Sequence, residues 1–437
     1  MPAPRFIALA AAAWLAALPA LTHAAAFDVD HATQLWLATL SGPAKVRSDA
    51  YFEGREWLSL WSTLVALVLS WILLRSRLLP KVRDGMRRRG WRPWLGVLAC
   101  AAVFLIADSL LSLPWSIYAD YWRERQYGLM NQSLAAWLGD QAIALALSAV
   151  LGSVLVLVIY AVIRKYPRRW WLIGTGIVGL AITSLALIAP VFILPLFNTS
   201  VELPDGPVRA RVVAMAQAHG VPAGHIYLVD ASRQSNRISA NVSGLGPTIR
   251  ITLNDNLLKQ TSVAETAAVM GHELGHYVLG HVWRLIVGVT LLTGVTLWLA
   301  ARLVPPIIRF GGERWGLREV GDPASLPIFT GVLAVLGLLA TPALNTLIRT
   351  SESEADAFGL DAAREPDGFA GAAMKLSAYR KIEPGPLEEM LFFDHPSGRT
   401  RVHMAMQWKK DHVPGATEFV PPPLPNPTPD PTPNPTP

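Results

Sequence analysis

Cysteine is nearly absent from this chain of 437 residues; Cys100 is the only one. A disulfide within one chain is therefore excluded, and so is a metal site built on thiolates. Cys100 lies in an apolar run, where a thiol packs as a small hydrophobe. Charge is also scarce. Charged residues make up 16% of the chain and hydrophobic ones 52%, whereas a soluble domain carries roughly 25% charge. Length alone suggests about two to three soluble domains, but the missing charge argues for a chain embedded in lipid. The net charge of +6 comes from basic residues clustered in short loops between apolar runs. That placement sets membrane topology and predicts no nucleic-acid partner.

What is abundant is apolar sequence in long runs. Residues 1–26 open as Met1-Pro-Ala-Pro-Arg5, continue Ala-rich, and end in Ala24-Ala25-Ala26. They read as a secretory signal peptide or as an uncleaved first transmembrane helix. Six further runs follow at roughly 57–76, 94–116, 141–163, 170–192, 284–304 and 326–347. Each is near the ~20 residues that a helix needs to cross the hydrocarbon core. Trp57, Trp71, Trp94, Trp115, Trp170 and Trp171 sit near the run ends, as an interfacial aromatic belt does. Six to seven transmembrane helices are expected.

The loops give an orientation. Between Arg75 and Arg92 there are eight basic residues and a single acid, Asp84, and the turn Arg164 to Arg169 is purely basic. Both belong on the cytoplasmic side. Counting crossings then places 193–283 and 348–437 outside, and the loop 305–325 inside. This predicts a multi-pass inner-membrane protein whose polar regions face the periplasm.

Two polar regions remain. In the first, Val208 to His219 reads as an amphipathic helix with Pro207 in its first turn. Ile226–Val229 and Thr248–Leu253 read as strands, with a Gly244-Leu245-Gly246-Pro247 turn before the second. A helix starts near Ser262, where Glu265 completes a capping box. The second region, 348–415, reads as helices and loops. The tail from Pro421 is a Pro/Asn/Thr repeat that cannot bury a core, and is expected to be extended and disordered.

The run Gly271-His272-Glu273-Leu274-Gly275-His276 carries the chemistry. On a helix His272 and His276 lie one turn apart on one face and can hold one zinc. Glu273 beside them is placed to take a proton from an attacking water. Gly271 and Gly275 would let another element approach closely. A catalytic zinc takes three protein ligands. His281 follows five residues after His276, about 140° further round a continuous helix, and so is expected to point away. Its spacing also differs from the metzincin pattern. Downstream, Glu352 and Asp356 are four apart and share a helical face. One carboxylate can reach zinc while the other orients a ligand histidine; equally, the acids can be a solvated helix start. Glu354 lies elsewhere on the wheel.

From about Arg123 to Met404 the chain resembles the integral-membrane zinc metallopeptidases typified by the CAAX prenyl endopeptidases. The resemblance rests on Val269 to His281, on Glu352-x-x-Ala355-Asp356 preceded by Arg349, and on Asp394-His395-Pro396-Ser397 followed by Arg401. Tyr127-Gly128 and Phe192 to Asn198 match more weakly. The resemblance implies Glu352 as third zinc ligand, with Arg349 and Asp356 supporting the site. It implies His395 near the substrate carbonyl, stabilising an oxyanion, with Arg401 nearby. It also makes Ser239 to Gly244, with Asn241, a substrate-facing strand, although an ordinary edge strand would read the same. A helical bundle enclosing a chamber is implied too. The signal-like N-terminus, the Pro-rich tail and an outward-facing site depart from members that cleave prenylated C-termini.

The expected fold is a mainly α-helical polytopic membrane protein with a zincin-like α+β metallopeptidase domain. Its parts are 1–26, a membrane bundle 27–198, a peptidase domain 199–415 that includes two membrane helices, and a tail 416–437. The expected function is zinc-dependent hydrolysis of peptide bonds, with one Zn2+ per chain, a peptide or protein substrate and the lipid bilayer as partners. A membrane quality-control protease of the same fold is the alternative within the class. A transporter or channel with a structural metal site is the alternative outside it, and the few ionisable residues in the runs, Asp108 chief among them, speak against that.

Overall fold

The computed structural model describes residues 27–244, 249–422 and 424. The expected signal or anchor at 1–26, most of the Gly244–Pro247 turn and the greater part of the Pro-rich tail lie outside them. A short helix α1 (Val29–Leu37) comes first, capped by Asp28. Among the described residues six helices are long and apolar enough to span a membrane. The first is α2 (Gly42–Ser76). After the amphipathic α3 (Leu78–Arg88) come α4 (Pro93–Gln126), α5 (Leu134–Lys165) and α6 (Trp170–Leu196). Beyond α7 (Pro207–Ala218) and α8 (Val263–Val278) lie α9 (His281–Trp315) and α10 (Pro323–Ala363). The chain closes with α11 (Pro366–Leu376), α12 (Pro386–Phe392) and α13 (Gly398–His412).

Every expected apolar run falls inside one of the six, but the helices are much longer than the runs. They have 27 to 41 residues, which is ~40–60 Å of helix against a hydrocarbon core of ~30 Å. The expected loop at 305–325 is helical as far as Trp315, with Pro305 and Pro306 inside the helix. Polar sequence ended the apolar signal there, not the helix.

The bundle core is built from Leu79, Val97, Cys100, Tyr160, Leu297, Val304 and Phe329, among others. Its basic loops meet at one end. Arg83 bonds Asp84 and Asp322, Arg318 donates to Asp84 at 2.8 Å, and Arg164 donates to the Gly321 carbonyl at 2.8 Å. The helices α9 and α10 run from and to the opposite end, where the polar part of the chain sits. Arg237 joins that part to the bundle, donating at 2.6 Å to Glu124 of α4, which also accepts from Tyr51 of α2.

The polar part holds a four-stranded sheet of order β1-β2-β4-β3, from β1 (Ser200–Glu202), β2 (Ile226–Val229), β3 (Ala240–Ser243) and β4 (Arg250–Asn254). β2 and β4 are parallel and the other pairs antiparallel, with Asn241 opposite Thr252. Ile226, Ile251, Leu253, Met270 and Leu274 close a core between the sheet, α7 and α8. The start of α8 carries both bonds of the expected capping box, Ser262 N to Glu265 at 2.6 Å and the reverse at 3.2 Å. The part of the tail that is described is not free, contrary to expectation. Phe419 packs against Trp36 with ring centroids 5.7 Å apart, Glu418 pairs with His31 at 2.7 Å, and the Leu424 amide donates to the Thr39 carbonyl. Glu418 and Phe419, just before the repeat, supply the side chains of the first two contacts.

Candidate metal centre and active site

The site begins as a helix crossing. A Cβ on Gly271 would sit 2.9 Å from the Gly359 carbonyl, and one on Gly275 would sit 3.2 Å from Ala355 Cα. On the other side, a Cβ on Gly359 would sit 2.8 Å from the His272 amide nitrogen. Three glycines and an alanine thus let α8 and α10 touch backbone to backbone. That contact carries Glu352 and Asp356, one turn apart on α10, onto the two histidines of α8.

Nε2 of His272 and Nε2 of His276 face each other at 3.1 Å. Glu352 Oε2 lies 3.2 Å from the first and its Oε1 3.5 Å from the second. One donor atom from each of the three residues lies within 4.8 Å of the others. Glu352 Oε2 is buried and has no hydrogen-bond partner. Asp356 Oδ1 is 2.7 Å from His272 Nδ1, so the ring proton belongs there and the Nε2 lone pair faces Glu352. Two ring lone pairs and an orphaned carboxylate oxygen converging on one point fit a divalent cation. Burial works to lower the His272 pKa, but the bond to Asp356 and the adjacent Glu352 carboxylate outweigh it and push it up to about 10. The negative surroundings that hold a proton on the ring in the absence of a cation are those that attract a cation.

Asp356 is fully buried and accepts both arms of the Arg401 guanidinium, at 2.9 and 2.6 Å. Arg349 donates to the carbonyls of Glu389 and Phe393, at 2.9 and 2.6 Å. It holds to α10 the segment that leads into Asp394 and His395. His395 Nδ1 is 2.8 Å from Asp394, and its Nε2 is 3.2 Å from Glu352 Oε2. Burial and the nearby Arg380 keep the His395 pKa below the usual histidine value.

His281 departs from the expectation that it points away. Gly280 takes a left-handed φ of 68°, which breaks the helix and starts α9 on a new axis. His281 is thereby brought back to Nδ1 of His276, at 3.0 Å, while its Nε2 is 3.2 Å from Glu354. Glu354 in turn accepts from Arg284 at 2.8 Å. Sequence spacing on an unbroken helix missed this chain of partners; the signal for it was Gly280.

A cavity of about 240 Å3 opens beside the donors, lined by Ser239, Ala240, His272, Glu273, His395 and Arg401 among others. Glu273 is half-buried there, and burial raises its pKa, against the pull of His272 and His276. β3 is an edge strand, and its start forms one wall. Asn241, next along β3, is not among the lining residues. Phe369, Ala372, Ala373 and Leu376 make the opposite wall apolar. Arg380 lines the cavity as well, a residue that sequence reasoning missed, because it sits after a helix end with no motif around it.

Residues 41–199 match the family described as CAAX prenyl protease N-terminal, five membrane helices, and residues 202–409 match peptidase family M48. The uncharacterized metalloprotease YhfN of Bacillus subtilis is 27% identical over 385 residues, 87% of this chain and 90% of the relative. A CAAX prenyl protease 1 homolog of Oryza sativa subsp. japonica is 25% identical, over 82% of this chain and 86% of its own. In fold, the chain superposes on the crystal structure of S. mikatae Ste24p with a TM-score of 0.71 at 20% identity, over 86% of this chain and 96% of that one. Family matches over residues 41–199 and 202–409, six helices fit to span a membrane and a His/Glu site at their mouth lead to one conclusion: the chain belongs to the M48 membrane metallopeptidases of CAAX prenyl protease type and is a metalloendopeptidase, in a family whose usual metal is zinc.

Proposed function

We propose that His272, His276 and Glu352 hold one zinc per chain and that Glu273 is the base for hydrolysis of a peptide bond. The convergence of the three donors around the orphaned Glu352 Oε2 carries this reading. When bound, zinc supplies Lewis acidity that polarises the scissile carbonyl and acidifies water. Asp356, gripped by Arg401, keeps the His272 proton on Nδ1 and the ring turned inward. Glu273 takes the proton of the attacking water and returns it to the leaving amine; its raised pKa suits both halves of that cycle. The substrate backbone pairs with the free edge of β3 near Ala240 and Asn241. An apolar side chain lies against Phe369 and Leu376, and His395 and Arg380 approach the carbonyl oxygen as its charge develops.

The site sits at the end of the bundle away from the arginine-rich loops. That separation supports an inner-membrane protein whose substrate enters from the periplasmic side. A panel of peptides with and without a lipidated C-terminal cysteine reads the substrate class. The chemistry itself is tested by Glu273→Gln. Expected is a protein that still binds zinc and loses peptidase activity by 100-fold or more, about the contribution of a general base; full activity with zinc bound would refute the assignment.

A further inference from the structure

At the opposite end of the bundle the helix ends enclose a second cavity, of about 270 Å3. Five arginines line it (Arg83, Arg87, Arg92, Arg164 and Arg318) against two carboxylates, Glu319 and Asp322. Asp322 is already occupied by Arg83 and by the amides of Arg318 and Ala324. Among the described residues, the ion pairs at this end use Arg83 and Arg318 and leave Arg87, Arg92 and Arg164 out. Positive charge therefore exceeds what the protein itself neutralises.

The start of α4 opens on the same space. Arg92 is its N-cap residue and makes no side-chain cap bond, while Pro93 and Gly96 of the first turn line the wall. The positive end of the helix dipole adds to the arginines. A Cβ on Gly96 would meet nothing within 4 Å, so the wall there faces open space that a larger side chain can fill. Met86 and Val97 give it an apolar side, and Trp91 and Trp94, 51% and 46% exposed, mark the level of an interfacial belt. The cavity thus lies where the basic loops place the cytoplasmic headgroups.

We propose that this cavity binds the phosphate headgroup of an anionic phospholipid of the cytoplasmic leaflet, with Arg87, Arg92 and Arg164 on the phosphate. Basic cavities between membrane helices take such headgroups. The apolar side favours a lipid over a free phosphate, whose full hydration shell gains nothing from it.

The test uses the full chain in detergent, with phosphatidylglycerol and phosphatidylcholine adducts counted by native mass spectrometry. Phosphatidylglycerol is expected to bind preferentially. Arg87→Gln with Arg92→Gln should lower its affinity about 30-fold, the effect of removing two charges at the membrane surface. Gly96→Leu, which fills the cavity and keeps every arginine, should do the same. Arg88→Gln with Arg89→Gln, on the same loop but outside the lining, should leave binding unchanged. Equal loss in that control, or undiminished binding in the folded Gly96→Leu protein, would overturn the proposal. So would inorganic phosphate displacing the lipid at matched concentration.

Discussion

His281 and His276 face each other through their Nδ1 atoms at 3.0 Å, although they belong to different helices. The break at Gly280 makes the contact, and Glu354 and Arg284 hold His281 from behind. His276 is thus oriented from outside the centre just as His272 is by Asp356 and Arg401. Partners of this kind typically contribute 10- to 100-fold in metal affinity. His281→Ala should weaken zinc binding by ~10-fold or more in a chelator competition, with the fold retained. An unchanged affinity would make the contact incidental.

The buried pair Asp356 and Arg401 gives a stability prediction. Asp356→Ala strands a buried guanidinium, which costs ~3–5 kcal/mol. Thermal unfolding in detergent should show a large drop for Asp356→Ala and a smaller one for Asp356→Ala combined with Arg401→Met. Additive losses would contradict the pairing.

The helix crossing is equally open to test. Gly359→Ala places a methyl group 2.8 Å from the His272 amide and should force α8 and α10 apart. Metal content and activity should both fall steeply. Gly85→Ala, where a Cβ meets nothing within 4 Å, is the matched control and should change neither.

Protons and metal compete at His272. Its ordinary pKa of 6.5 rises to about 10 without a cation, because the bond to Asp356 and the adjacent Glu352 carboxylate outweigh the opposing effect of burial. A raised histidine pKa stabilises the metal-free fold fully below 6.5, and that stability is lost as pH climbs through about 10. Metal binding requires the bare Nε2, so metal uptake at neutral pH should release a proton, and the apparent affinity should fall as pH falls. Calorimetry in buffers of different ionisation enthalpy measures the release directly; no net release would contradict the arrangement.

The legible parts of this protein were those written in local pattern. Runs of ~20 apolar residues announced six helices, and His272-Glu273-x-x-His276 announced the α8 face. Helix ends were illegible wherever a helix continues into polar sequence, as α9 does past Pro306 to Trp315. His281 was misread because a rigid-wheel argument assumes one axis, and a single left-handed Gly280 supplies a second. Glu352 and Asp356 were open between ligand and solvated acid on spacing alone. Their contact with α8 depends on Gly271, Gly275 and Gly359 together, which no single segment reveals. Arg380 reaches the cavity through tertiary packing and had no local mark. Asn241 lies on the expected strand but outside the cavity lining.

In the proposed centre Glu352 closes what the two histidines begin. Zinc per chain, measured on purified Glu352→Ala that melts cooperatively, tests this most directly. The wild-type chain should hold one zinc and the variant close to none. A folded Glu352→Ala protein that keeps a full zinc would contradict it.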